Sequence, residues 1–124
     1  MITSDESFRV YHDGSEVVAG EWHSGVITVR LDDVCVLAIL GFNFDSGDGL
    51  LASTSTGVVT DASWKCNDNA DDGWDLPGFD DSAWSQALVV GANDGSVPDI
   101  NRTAQWIWSQ GDPAFYAFCR KSLC

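Results

Sequence analysis

The chain has 124 residues and a hydrophobic fraction of 44%, which suits a single module with its own core over residues 1–124. Six basic residues stand against 19 acidic ones, so the formal net charge is −13. This charge argues against binding to nucleic acid or to an anionic membrane surface, and it suits neutral ligands, cations or basic partners. Membrane insertion is not expected either, because the longest apolar run, over residues 34–40, is too short to span a bilayer.

Short strands separated by turns are predicted in the N-terminal half. A strand over residues 8–11 enters a hairpin turn at residues 12–15, which contains Asp13-Gly14. Residues 34–40 are apolar on both faces, which predicts a central strand of a sandwich. The predicted strands of this half cover residues 8–11, 16–19, 27–31, 34–40 and 50–53, with one or two more within 58–66.

The C-terminal half alternates polar loops with strands. Residues 67–82 hold Asn, Asp, Gly and Pro77 at the density of turns, which predicts a long loop, and residues 91–101 form a second loop. The predicted strands of this half cover residues 84–90, 105–108 and 114–121. No helix longer than one turn is predicted. About eight to ten short strands with regular turns indicate an all-β fold, an antiparallel β-sandwich of the jelly-roll type.

Four segments occur in an order that is familiar from one family of domains. They read TDASWKC over residues 60–66, GFDDSAWSQA over 78–87, AQWIW over 104–108 and FCRK over 118–121. Together they resemble the galactose-binding-like jelly roll that serves as an accessory domain of α-rhamnosidases, β-galactosidases and β-mannosidases. The resemblance covers about residues 8–123. It implies a domain that binds carbohydrate or braces a neighbour, and it does not carry over the activity of a catalytic domain.

The second of these segments also has a structural interpretation. Asp80 or Asp81 can cap the following turn by accepting backbone N–H bonds, and Ser82 can do the same. Such a turn would direct Trp84 into the core, where Trp64 is also expected. This structural role outweighs a ligand role for the Asp-Asp-Ser-x-Trp pattern.

The third segment places two tryptophans on one predicted strand. Trp106 and Trp108 are expected to point to one face of that strand and Ile107 to the other. At least one of the two tryptophans is expected to be buried.

Sugar recognition needs an aromatic platform for the apolar face of a pyranose ring and polar side chains for its hydroxyl groups. Two pairs in loops or turns have this composition, Trp74 with Asp75 and Trp22 with His23, and Asn93-Asp94 in the second loop could complete a site. The candidate sugar-binding residues are Trp74, Asp75, Trp22, His23, Asn93 and Asp94. The structural alternative for each tryptophan is an anchor that pins its loop, and for His23 it is an ordinary surface histidine.

A calcium site is a second possibility in the long loop. Asn67, Asn69 and Asp71 alternate before Gly73, which resembles the spacing of oxygen ligands in a calcium loop. The glycine comes one position late and no glutamate closes the loop, so solvated turn residues are the competing interpretation. A weaker cluster consists of Asn43, Asp45 and Asp48.

Four cysteines with wide spacing and no Cys-x-x-Cys pair indicate two disulfides in an oxidising compartment. Cys66 and Cys119 are expected to meet on adjacent strands, which leaves Cys35 with Cys124, although four cysteines allow three connectivities. The sequon at residues 101–103 agrees with an extracellular location, and no signal peptide is visible in this chain.

The sequence therefore predicts a secreted, lectin-like module that binds a glycan or glycoprotein without catalysis. Only His12 and His23 offer imidazole bases, and no nucleophile elbow, zinc-protease or phosphate-loop motif is present. The alternative is a structural or adhesive matrix module without a sugar site, which uses calcium on its acidic surface. Because a single sugar site is usually weak, tandem copies or a homo-oligomer are plausible in either case.

Overall fold

The fold consists of short antiparallel strands and turns. The computed structural model describes residues 2–4, 7–21, 34–42, 50–54, 57–70, 72–92, 100, 102–110 and 116–123. The strands in these ranges are β1 (Ile2–Ser4), β2 (Ser7–His12), β3 (Ser15–Glu21), β4 (Val36–Phe42), β5 (Leu50–Ala52), β6 (Lys65–Asn67), β7 (Ser85–Gln86), β8 (Leu88–Ala92), β9 (Gln105–Trp108) and β10 (Tyr116–Ser122). Among the described residues, no helix has the length and apolarity that a membrane crossing requires.

The strands form two antiparallel sheets. One sheet has four strands in the order β1-β5-β9-β8, and the other has six in the order β3-β2-β4-β10-β6-β7. A common core contains Leu50 and Ile107 from the first sheet and Ile39 and Ala117 from the second, so the sheets pack face to face. The predicted all-β antiparallel sandwich is confirmed, and its assignment to the jelly-roll type stays a prediction.

The β2–β3 hairpin forms where Asp13-Gly14 predicted it. Both turn residues have positive φ, 48° at Asp13 and 90° at Gly14, as a two-residue hairpin turn of the favoured hand requires. The Asp13 carboxylate also accepts hydrogen bonds from the backbone N–H groups of Cys35 at 2.9 Å and Val36 at 2.8 Å. These bonds fix the start of β4, which lies between β2 and β10 as the expected central strand.

The disulfide between Cys66 and Cys119 is confirmed. The two residues lie directly opposite each other on β6 and β10, with their Cα atoms 4.1 Å apart. Both belong to the core between the sheets. Cys35 is also disulfide-bonded, while its expected partner Cys124 lies outside the described residues.

A buried threonine connects strands of the four-stranded sheet. Thr60 Oγ1 lies 2.7 Å from the carbonyl oxygen of Gln105 on β9 and accepts a hydrogen bond from the N–H of Ala52 on β5. A backbone hydrogen bond also joins Thr60 to β9, because the Gln105 N–H donates to the Thr60 carbonyl oxygen at 2.7 Å. The one or two strands predicted within residues 58–66 are confirmed in part, because β6 begins at Lys65. Before it, Val59 makes only an isolated bridge to Ser53, and residues 61–64 form a turn.

The two tryptophans of β9 do not follow strict alternation. Ile107 and Trp108 both enter the core between the sheets, whereas Trp106 is partly buried against a second cluster that contains Leu51. The prediction that Trp106 and Trp108 share one face and Ile107 takes the other is therefore wrong. Trp108 ends its strand and occupies space left by Gly41 of β4. The expectation that at least one of the two tryptophans is buried is confirmed.

Candidate functional site

The described part of the chain carries an aromatic cluster centred on Trp74. The Trp74 ring receives edge contacts from Tyr11 at 5.6 Å and from Phe118 at 5.1 Å, measured between ring centroids. It also stacks against Trp84 at 6.3 Å with an interplanar angle of 20°. We call this group the outer aromatic cluster; its members are Tyr11, Trp74, Phe79, Trp84, Tyr116 and Phe118.

Strand alternation places this cluster on the outer face of the six-stranded sheet. On β10, Ala117 and Cys119 belong to the core, so Tyr116 and Phe118 project to the opposite face. Tyr11 pairs with Ala38 across the sheet, and Ala38 pairs with Arg120 of β10. Tyr11 therefore lies on the same outer face as Phe118 and Arg120. The long loop before β7 carries Trp74 and lies over this face.

Arg120 holds the loop on the sheet. Its side chain is only 1% exposed and forms an ion pair with Asp81 through Nη1. Nη2 donates to the carbonyl oxygen of Leu76 at 2.9 Å, and the guanidinium lies 5.4 Å from the centre of the Phe79 ring. A buried arginine needs such partners because an unpaired charge is costly to remove from water. The family resemblance included Arg120 only as part of a motif. The sequence did not predict that Arg120 contacts Asp81, which lies 39 residues earlier in the chain.

The turn before Trp84 forms as the sequence predicted. The Asp80 carboxylate accepts a hydrogen bond from the N–H of Ser82 at 3.0 Å, and Trp84 N–H donates to Asp81 O at 2.9 Å. Hydrogen bonds from the Ser82 side chain and backbone lower the pKa of Asp80, because they favour its charged form.

Trp84 is buried, at 8% exposure, as predicted. Its ring contacts Trp74 and Phe79 in the outer aromatic cluster rather than the core between the sheets. Trp64, in contrast, is a member of that core as predicted, and its indole N–H donates to Val59 O at 2.9 Å. The difference follows from register, because Lys65 lies opposite Gln86, which puts Trp64 and Trp84 on opposite faces of the β6–β7 pair.

The sugar-site candidates have different outcomes. Trp74 and Asp75 are both half-buried residues, and the ring contacts of Trp74 with Tyr11, Trp84 and Phe118 anchor its loop on the sheet. The other four candidates, Trp22, His23, Asn93 and Asp94, lie outside the described residues. Tyr116 was not predicted as a site residue, although it is 44% exposed and stacks on Phe118 at 6.2 Å. Its position two residues before Phe118 on the same strand was the signal that could have identified it.

The calcium candidates form hydrogen bonds within their own loop. Asn67 Nδ2 donates to the Asn69 carbonyl oxygen at 2.8 Å, and Asn69 Oδ1 accepts from the N–H of Ala70 at 3.0 Å. Asp71, together with Asn43, Asp45 and Asp48, lies outside the described residues. Within the ranges that the structure describes, no group of three or more His, Cys, Asp or Glu side chains is arranged to hold a metal ion.

Comparison with known proteins gives a relative among the glycosidases. The chain is 32% identical over 111 residues to an α-L-rhamnosidase from Streptomyces avermitilis. The similarity covers 73% of this chain and 11% of the relative, so the chain spans about a tenth of the length of the curated relative that it matches. No protein-family model matches the chain, and no solved structure matches it. The match is compatible with an accessory domain of a sugar-processing enzyme.

Proposed function

We propose that this chain is a non-catalytic, carbohydrate-binding module of the galactose-binding-like type, which binds sugar at the exposed part of the outer aromatic cluster. The observation that carries the proposal is the arrangement of Trp74. Trp74 is a half-buried residue, and its ring is held on the outer face of the sheet by contacts with Tyr11, Trp84 and Phe118. A ring held this way offers a rigid apolar surface at little cost in side-chain entropy.

Polar groups beside the cluster suit the hydroxyl groups of a sugar. Asp75 follows Trp74 directly and is half-buried. Asn67 lies opposite Phe118 on the same face, and its Nδ2 is used within the loop while Oδ1 has no partner among the described residues. A carboxylate and an amide oxygen are acceptors for sugar hydroxyls.

The comparison and the cysteines support the remaining parts of the proposal. The similar stretch of the α-L-rhamnosidase is a small part of an enzyme that acts on a rhamnoside, so a supporting role in glycan processing fits this chain. The Cys66–Cys119 disulfide supports a secreted protein, because such bonds persist in oxidising compartments. Tandem modules or a homo-oligomer would raise the avidity of a single weak site.

Binding to a glycan array, followed by calorimetric titration with the best glycan, tests the proposal. Trp74→Ala should abolish measurable binding. Trp106→Ala is the matched control, since Trp106 is also partly buried but lies on the four-stranded sheet. Because Trp74→Ala also removes packing, Tyr116→Ala provides a milder second variant at a residue that is 44% exposed. Binding that survives in both cluster variants, or no glycan binding by the native protein, would refute the proposal.

An exposed apolar strip favours the second candidate, a structural module that braces a neighbouring domain. Leu88, Val89 and Val90 on β8 are 45%, 38% and 45% exposed, respectively. An apolar strip of this kind is typical of a surface that packs against a partner. Calcium remains part of this second proposal. A rise in melting temperature with calcium, reversed by chelator, in a protein that binds no glycan would favour the structural module.

A further inference from the structure

Among the residues that the structure describes, the basic side chains on the face of the outer aromatic cluster are already engaged. Arg120 is buried and paired with Asp81. Lys65 lies on the same face and its Nζ is 3.5 Å from the carbonyl oxygen of Trp84. Arg9 lies 3.7 Å from the carboxylate of Glu16. An acidic sugar would therefore compete with existing partners for each of these cations.

The loop that carries Trp74 has the opposite charge. Residues 68–84 include six aspartates and contain no lysine, arginine or histidine. Asp68 and Asp72 are exposed, Asp75 is half-buried, and none of the three has a hydrogen-bond or ion-pair partner within the described residues. Among the described aspartates of this loop, only Asp81 is neutralised by a buried cation. The charges that this loop itself adds beside the Trp74 ring are therefore negative.

We propose that the site on the outer aromatic cluster selects amino sugars with a free ammonium group over neutral sugars, and disfavours uronic acids. This inference rests on the proposed function, since it names the class of glycan that the same site takes. An ammonium group bound beside Trp74 would gain attraction from Asp72 and Asp75 and from the face of the indole ring. A uronate carboxylate at that position would be repelled by the same two aspartates.

Three oligosaccharides of the same linkage and length test the inference by calorimetric titration. One carries free amines, the second is its N-acetylated form and the third is a uronic acid oligomer, all at low salt and at a pH where the amines are protonated. We expect the free amine form to bind about two- to five-fold more tightly than the acetylated form, as suits exposed charge pairs. The uronate should bind more weakly than both. The preference should shrink at high salt, because screening weakens exposed charges.

Two substitutions that raise the net charge by the same amount separate a local effect from a global one. Asp75→Asn should reduce the preference for the amine, whereas Leu88→Lys, on the exposed edge of the other sheet, should preserve it. Tight binding of the uronate, or an amine preference that both variants leave unchanged, would overturn the inference while the proposed function stands. Absence of binding to all three oligosaccharides would overturn the inference together with the proposed function.

Discussion

Gly41 of β4 lies directly against the ring of Trp108 from the opposite sheet. A Cβ atom placed on Gly41 would come within 2.7 Å of Trp108 Cζ3 and within 2.9 Å of Leu50 Cδ2. Both neighbours belong to the core that the sheets share. The separation of the two sheets at this point is therefore set by a glycine and a tryptophan that fill complementary volumes.

Substituting Gly41 by alanine should destabilise the protein, because the added methyl group overlaps two packed side chains. We expect a loss of about 1–3 kcal/mol in the free energy of unfolding, measured by urea titration. Gly78→Ala is the matched control, since no atom lies within 4 Å of the position of its Cβ. Equal stability of the two variants would show that the sheets can separate without cost at Gly41.

Alanine substitutions of the neighbouring residues Asp80 and Asp81 should differ in how much they lower the free energy of unfolding. Asp81→Ala leaves the buried guanidinium of Arg120 without its carboxylate, and we expect a loss of about 3 kcal/mol in the free energy of unfolding. Asp80→Ala removes only the exposed hydrogen bonds from Ser82 within the turn and should cost less. Near-ultraviolet circular dichroism would report the packing of Trp74 on Trp84 in both variants. A greater loss in Asp80→Ala would contradict the anchoring role of Arg120.

The disulfide should contribute much of the stability of the module. Cys66 and Cys119 are separated by 53 residues, and cross-linking a loop of that size contributes about 4 kcal/mol in the chain-entropy model. The double variant Cys66→Ala/Cys119→Ala should lose a comparable amount in urea unfolding under non-reducing conditions. A melting temperature equal to that of the native protein would contradict this expectation.

His12 should make the stability depend on pH. Burial lowers its pKa below the ordinary value of 6.5 and outweighs the opposing influence of Asp13, and Nε2 has no hydrogen-bond partner in the described part of the chain. The folded state resists protonation of His12, so the contribution of His12 to the free energy of unfolding is fully present above pH 6.5. That contribution is lost as the pH falls through the lowered pKa. The free energy of unfolding should fall less between pH 7.5 and pH 5 in His12→Gln than in the native protein. Parallel pH profiles would contradict a role for His12.

Local patterns predicted the parts of the fold that depend on neighbours in sequence. The hairpin at Asp13-Gly14 and the turn at Asp80 follow from backbone conformations and side-chain acceptors within two or three residues. The continuous apolar run of β4 predicted its central position, since both of its faces are covered. The Cys66–Cys119 pair was predicted because both cysteines lie on strands.

The candidate site was harder to predict because it depends on contacts between distant strands. The face that Trp84 occupies is set by the register of β7 against β6, which local alternation does not determine. A charged residue on a strand is normally exposed, so Arg120 gave no sign of its burial under the loop. The aromatic residues at positions 116 and 118 did carry a usable signal, since they alternate with Ala117 and Cys119 of the core.

The cross-strand disulfide has a consequence for how the module withstands proteolysis. Any single cut by a protease between Cys66 and Cys119, including one in the exposed turns of the loop above the sheet, leaves one cysteine on each fragment. The product is a two-chain molecule whose halves remain covalently joined. Arg120 lies on the C-terminal fragment. It would still form its ion pair with Asp81, whether the cut falls before or after Asp81. The same loop can thus be cleaved or lengthened while β6 and β10 stay linked.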